Sequence, residues 1–177
     1  MKAASITLLL WALVLDLFGC NKEPQDQLAV VKGQAYLIPW EDRPVVINEM
    51  HDKIGNTYVR ISGKVIAGGI HIDLIVDPRW YEFQVANNYP SLFGYAGDDI
   101  KIKNKFVKID TIIGPIICTK PYSEYTKYVG CGFRLLDEGV SWSINFTSKD
   151  IAHVGRIKSE AEKILKSYRN AANAKQR

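Results

Sequence analysis

The segment that decides the fold, Val140–Thr147, reads Val-Ser-Trp-Ser-Ile-Asn-Phe-Thr and leads into a stretch of different periodicity. Apolar side chains occupy every second position, and small polar side chains occupy the positions between them. Strict alternation of this kind predicts a β-strand with one buried face and one face in water.

After Thr147, apolar residues recur at helical spacing from Ile151 to Tyr168. Thr147 and Asp150 have the spacing of a capping box, and cations near the end of the stretch complement the helix dipole. The pattern predicts one amphipathic helix over about 148–170 that lays its apolar stripe on a sheet. Residues 171–177 are expected to fray.

Most of the preceding chain has strand character. In 57–67 the alternation places Val59, Ile61 and Val65 on the core face and Lys64 on the solvent face, and Gly68-Gly69 is a hairpin signal. We therefore predict a single α+β domain over 28–177, a meander or sandwich of about eight mainly antiparallel strands with one C-terminal amphipathic helix. The predicted strand regions are 28–38 (broken at Gly33), 57–67, 70–76, 80–86, 99–109, 111–119, 128–136 and 140–147.

The N-terminus has the pattern of an export signal. Met1 and Lys2 supply positive charge, residues 3–15 are apolar, and small residues precede Cys20. The apolar run is shorter than the roughly 20 residues that span a bilayer, which favours a signal peptide over 1–19. Leu17-Phe18-Gly19-Cys20 also resembles the lipobox of bacterial lipoproteins. The resemblance implies a lipid on Cys20, followed by a short polar tether over 20–27.

The same resemblance implies a location in the bacterial cell envelope. In Gram-negative lipoproteins, a residue other than aspartate after the lipidated cysteine favours the outer membrane, and here that residue is Asn21. We expect the chain to be held by its N-terminal lipid on the outer membrane, with the domain facing the periplasm.

The chain has three cysteines. If Cys20 carries lipid, Cys118 and Cys131 remain as a natural disulfide pair in an oxidising compartment. Closing the loop between them would stabilise the fold by roughly 3 kcal/mol. The alternative is two buried free thiols.

A formal net charge of +4, scattered along the chain, gives no concentrated basic footprint for nucleic acid. Lys101, Lys103 and Lys105 share one face of a predicted strand. They suit an acidic partner or anionic headgroups, but a solvated face or the protection of an edge strand is the favoured interpretation.

Signals for catalysis are weak. His71 and Asp73 point to the same side of a predicted strand and could act as a base and its orienting group, or as metal ligands. The favoured interpretation is the polar face of an amphipathic strand, because no third convergent group is visible. The chain lacks the sequence motifs of serine hydrolases, zinc proteases and phosphate-binding loops. We expect no catalysis, metal or cofactor.

Aromatic loops are the best candidates for function. Segments 39–44, 87–97 and 120–128 combine proline or glycine with aromatic side chains, which supply large contact areas at low entropic cost. The alternative is that such loops fold back over their own core. The predicted partner-binding residues are Trp40, Tyr89, Phe93, Tyr95, Tyr122 and Tyr125.

The architecture is similar to that of periplasmic immunity lipoproteins, which combine a signal, a lipobox and one small domain. The similarity implies a protein-binding inhibitor whose loop covers the active-site cleft of a toxin. One alternative is a structural lipoprotein of an envelope secretion or conjugation complex. A less favoured alternative is an envelope hydrolase that uses His71 and Asp73.

Overall fold

The computed structural model describes residues 24–49, 56–76, 106–120 and 128–175. In these residues nine strands form two antiparallel sheets, and a long helix follows the last strand. The prediction of a mainly antiparallel α+β fold with one C-terminal helix is confirmed. The predicted strand at 80–86, the first part of 99–109 and the signal segment 1–19 lie outside the described residues.

The smaller sheet is a hairpin of β1 (Gln27–Val31) and β2 (Gln34–Ile38). Its turn residues, Lys32 and Gly33, have φ values of 49° and 80°. Positive φ at both positions matches the right-handed twist of the flanking strands, and glycine tolerates it without strain. The predicted break at Gly33 is therefore a two-residue hairpin turn.

The larger sheet has seven strands, whose order combines two meanders. The strands are β3 (Val45–Glu49), β4 (Asn56–Ile66), β5 (Ile70–Val76), β6 (Phe106–Thr111), β7 (Gly114–Thr119), β8 (Gly130–Asp137) and β9 (Val140–Thr147). Their order is β3-β4-β5-β9-β8-β7-β6. Pairing of β9 with β5 joins the two meanders, so the segment that opens the sequence analysis occupies the middle of the sheet.

A β-bulge in β4 overturns the predicted faces of its second half. Ile61 pairs with Leu74 but Lys64 pairs with Ile72, so Ser62 and Gly63 stand opposite the single residue Asp73. Gly63 has φ 66°, and its N–H donates to Asp73 Oδ1 at 2.7 Å. The extra residue reverses the alternation beyond it.

The reversal exchanges core and solvent positions. Val59 and Ile61, before the bulge, are fully buried as predicted. After it, Ile66 is 7% exposed while Val65 is 55% exposed, so the prediction that Val65 faces the core is wrong. Lys64 faces the core side, where it contacts Asp42.

Strand β9 corrects the prediction of one buried and one wet face. Trp142 and Ile144 are fully buried as predicted, but Ser143 and Asn145 on the other face are only 1% and 2% exposed. Ser141, also buried, accepts a hydrogen bond from Arg134 Nη2. A strand in the middle of a sheet can lose water from both faces, and the alternation of its side chains does not reveal this.

The C-terminal helix starts later and ends later than predicted. Ser148–His153 is a 3-10 helix, and the α-helix α1 runs over Val154–Lys175. Thr147 Oγ1 donates to Asp150 Oδ2 at 2.9 Å and makes no side-chain bond to the helix backbone, so the capping-box expectation is wrong. Ala172 is buried, which keeps the predicted frayed segment helical as far as Lys175.

The hairpin and α1 contribute to the same hydrophobic core as the larger sheet. At its centre the rings of Tyr36 and Trp142 meet edge to face with centroids 5.2 Å apart. Ile157 and Leu165 add the buried stripe of α1. In the part of the chain that the structure describes, no helix is both long enough and apolar enough to cross a membrane.

Candidate functional site

Trp40 lies in a short turn between the hairpin and the larger sheet. Residues Trp40–Asp42 form one turn of 3-10 helix, which Arg43 ends in the left-handed conformation at φ 47°. The N–H groups of Asp42 and Arg43 donate to the carbonyls of Pro39 and Trp40 at 3.1 and 2.9 Å. The Trp40 side chain is 45% exposed, so this predicted partner-binding residue does present an aromatic surface to solvent. We call residues 39–44 the Trp40 turn.

Two acidic residues fix the Trp40 turn to the rest of the domain. Asp26, next to the first strand, accepts a hydrogen bond from the backbone N–H of Trp40 at 3.2 Å. Asp42, inside the turn, accepts from Lys64 Nζ with one carboxylate oxygen and from Tyr168 Oη with the other. The turn is therefore tied to β1, β4 and α1 at once, and its shape is set before any partner binds.

The contact between Tyr168 and Asp42 has an electrostatic signature. Burial of the hydroxyl, and then its hydrogen bond to the Asp42 carboxylate, raise the pKa of Tyr168 well above its usual value. Both causes act in one direction because each disfavours the phenolate. Tyr168 is therefore a hydrogen-bond donor that stays protonated in the folded chain at neutral pH.

A second polar cluster ties α1 to the turn between β8 and β9. Arg169 donates to both carboxylate oxygens of Asp137, at 3.1 and 3.2 Å, and its third nitrogen lies 3.4 Å from Glu138. The hydrogen bond to Asp137 is the main cause that raises the pKa of Arg169. A paired guanidinium of this kind orients two structural elements rather than a substrate.

The Asp137 carboxylate also contacts the core. Tyr36 Oη donates to Asp137 Oδ2 at 3.0 Å and accepts from Trp142 Nε1 at 3.4 Å. Burial of the Tyr36 hydroxyl is the main cause that raises its pKa far above the usual value. The cluster thus satisfies the buried polar atoms of the two aromatic rings at the centre of the fold.

Cys118 and Cys131 form a disulfide bond with an S–S distance of 2.04 Å, as the sequence predicts. They are direct partners across β7 and β8. The crosslink therefore lies at the base of the tyrosine-rich segment 120–128 and holds the two ends of that segment together. Residues 121–127 themselves are outside the described part.

Asp73 has two structural partners among the described residues, and neither is His71. Asp73 is engaged by the bulge, since it accepts from the Gly63 N–H at 2.7 Å and lies 3.8 Å from Arg60 Nη2. His71 is exposed on β5. Over the four described ranges, no group of three His, Cys, Asp or Glu side chains is placed to hold a metal ion.

The remaining predicted site residues cannot be compared with the structure. Cys20 and the two other aromatic loops lie outside the described residues. Their predicted roles stay predictions. Those residues are Cys20, Tyr89, Phe93, Tyr95, Tyr122 and Tyr125.

Sequence reasoning missed the anchors of the Trp40 turn. Asp42 lies in the aromatic segment 39–44, but the sequence indicates no partner for its carboxylate. Tyr168 is one of the apolar positions of the predicted helix, and that pattern does not indicate a hydrogen-bond partner for its hydroxyl. The strict alternation over 57–67 predicts that Lys64 faces solvent. The isolated glycine inside that strand pattern, Gly63, is nevertheless a recognised signal for a bulge.

No protein-family model matches this sequence, and no curated protein or solved structure matches it either.

Proposed function

We propose that the chain is a lipid-anchored periplasmic binding protein that acts without catalysis, most specifically an inhibitor that captures one soluble protein. The observation that carries the proposal is the Leu17-Phe18-Gly19-Cys20 motif after an apolar export signal. The motif implies a lipid on Cys20, and Asn21 after it favours delivery to the outer membrane.

The disulfide supports an exported location. Crosslinks such as Cys118–Cys131 form and persist in oxidising compartments such as the periplasm and are rare in reducing ones. The same bond limits the freedom of segment 120–128 and lowers the entropy that a partner must remove on binding. A small domain that presents such a segment suits protein capture.

The proposed inhibitor mechanism relies on aromatic side chains of two predicted loops, 87–97 and 120–128. Tyrosine and phenylalanine at loop tips bury large areas and dominate the energetics of protein interfaces. We propose that segments 87–97 and 120–128 cover the active-site cleft of the captured protein.

Affinity capture from envelope extracts tests the inhibitor mechanism. We expect the detergent-extracted lipoprotein to retain one soluble enzyme, identified by mass spectrometry. At least one of Tyr89→Ala, Phe93→Ala, Tyr122→Ala and Tyr125→Ala should weaken its binding about 30-fold, the effect of losing an interface hot spot. Val65→Ala, a truncation at an exposed apolar side chain of β4, is the matched control and should leave binding unchanged.

Two outcomes would count against the inhibitor. If all four loop variants bind as tightly as the native chain, the loops do not contact the partner. If the chain instead co-purifies in fixed stoichiometry with a large membrane complex, the alternative of a structural envelope lipoprotein is correct.

A further inference from the structure

The short segment between Cys20 and Asp26 restricts which surface of the domain lies near a membrane. With the lipid on Cys20, as the proposed function requires, six peptide units separate the anchor from Asp26, an extended length of at most about 22 Å. Asp26 is hydrogen-bonded to the backbone of Trp40 at 3.2 Å. The backbone of Trp40 is therefore within about 30 Å of the lipidated residue.

Large apolar side chains are exposed close to this point. Trp40 is 45% exposed in its turn, and Leu28 and Val30 are 50% and 46% exposed on β1. Leu28 is two residues from Asp26, and Val30 is four. We call these three side chains the tether-proximal surface. Ala29 and Val31, which alternate with them, are buried in the core, so the orientation of β1 is fixed.

We propose that the tether-proximal surface rests on the lipid bilayer, with the Trp40 indole at the level of the headgroups. Tryptophan favours this depth because its ring is apolar while its N–H retains a polar partner. The short tether adds to this preference. A surface held so close to the bilayer meets it at a high effective concentration, so a weak affinity suffices to keep it docked.

Charge contributes little to this contact. Glu41 and Arg43 are both exposed beside Trp40 and carry opposite signs. The turn itself therefore offers no excess of positive charge to anionic lipids. The contact we propose is apolar, and it should be equally strong on zwitterionic and anionic bilayers.

The far end of α1 supplies an internal reference. Ile112, in the turn between β6 and β7, is 88% exposed and its Cδ1 lies beside Gly155 near the start of α1. The Trp40 turn is bound near the other end of the helix, through Tyr168. These two helix positions are about 20 Å apart along the axis. Ile112 therefore lies outside the tether-proximal surface, and we expect a reporter there to stay out of the bilayer when that surface is docked.

Fluorescence quenching by brominated lipids tests this orientation. The mature lipoprotein is inserted into vesicles of phosphatidylethanolamine and phosphatidylglycerol with brominated acyl chains. The emission of Trp40 is obtained as the difference between the native chain and Trp40→Phe. We expect that difference to fall by about half relative to unbrominated vesicles. Ile112→Trp in the Trp40→Phe background should add emission that bromine does not quench.

Flotation of the same vesicles separates the two proposals. If the chain does not float with them, the lipid anchor is absent, and the proposed function fails together with this orientation. If the chain floats but Trp40 emission is not quenched, the anchor stands and the orientation is wrong. In that case, we would test whether Trp40→Ala retains less of the captured enzyme than the native chain. A loss would show that the indole contacts a protein partner instead of the bilayer.

Lipid composition gives one further outcome. Quenching of equal size in brominated phosphatidylcholine supports an apolar contact. Quenching that requires phosphatidylglycerol would overturn it in favour of an electrostatic one.

Discussion

We expect the replacement of Asp42 by alanine to lower the free energy of unfolding by about 3 kcal/mol. The change removes the acceptor of two donors that come from different elements, Lys64 of β4 and Tyr168 of α1. Tyr168 is almost fully buried, so its hydroxyl would have no water to replace the lost partner. Lys64 keeps partial contact with solvent, which limits its share of the loss.

Urea denaturation at neutral pH measures this effect, and the chain offers a matched control. Asp110 is an exposed carboxylate on β6, and Asp110→Ala should change the stability by less than about 0.5 kcal/mol. Asp42→Asn keeps an oxygen acceptor but loses the charge and should fall between the two. Equal stability of Asp42→Ala and Asp110→Ala would show that Asp42 does not hold the Trp40 turn to the helix.

We expect a rise in pH from 9 to 11 to lower the free energy of unfolding by about 3 kcal/mol through Tyr36 and Tyr168. The folded chain raises the pKa of both hydroxyls above the unfolded value near 10. Their stabilising contribution is complete below pH 10. Above it the unfolded chain loses these protons while the native chain keeps them, so stability falls as pH rises.

Denaturation curves at several pH values, without reducing agent, test this dependence. Tyr168→Phe and Tyr36→Phe should each remove about half of the alkaline loss, and the double variant should remove most of it. Each variant also loses one hydrogen bond to a carboxylate, which lowers its stability at pH 7 by about 1 to 2 kcal/mol. A double variant whose stability falls as steeply as that of the native chain would contradict the assignment.

Most of the described elements were predictable because their signals are local, but β3 (Val45–Glu49) was not predicted. The period-two pattern of 140–147, the change to helical period after it and the Gly68-Gly69 turn each depend on near neighbours in sequence. The pairing of Cys118 with Cys131 was predictable from the cysteine count once Cys20 was assigned to lipid. Burial of both faces of β9 was not predictable, since it depends on where the strand lies in the sheet.

The candidate site was predictable only in part. The sequence identifies the proline-flanked segment 39–44 but leaves open whether Trp40 faces solvent or folds back over the core; the structure shows that it is exposed. The anchors of the Trp40 turn were not predictable, because Asp42 and Tyr168 are far apart in sequence and meet only through the packing of α1. Lys64 reaches Asp42 because Gly63 inserts one extra residue, and a strict alternation puts it on the opposite face.

Metabolic labelling with an alkyne analogue of palmitate tests the lipid anchor most directly. In bacteria that express the full chain, we expect the native protein and a Cys118→Ser/Cys131→Ser variant to incorporate the probe and to sediment with the outer membrane. Cys20→Ala should incorporate none. A native chain that carries no label would contradict the anchor, and with it the proposed location and the orientation of Trp40 on the bilayer.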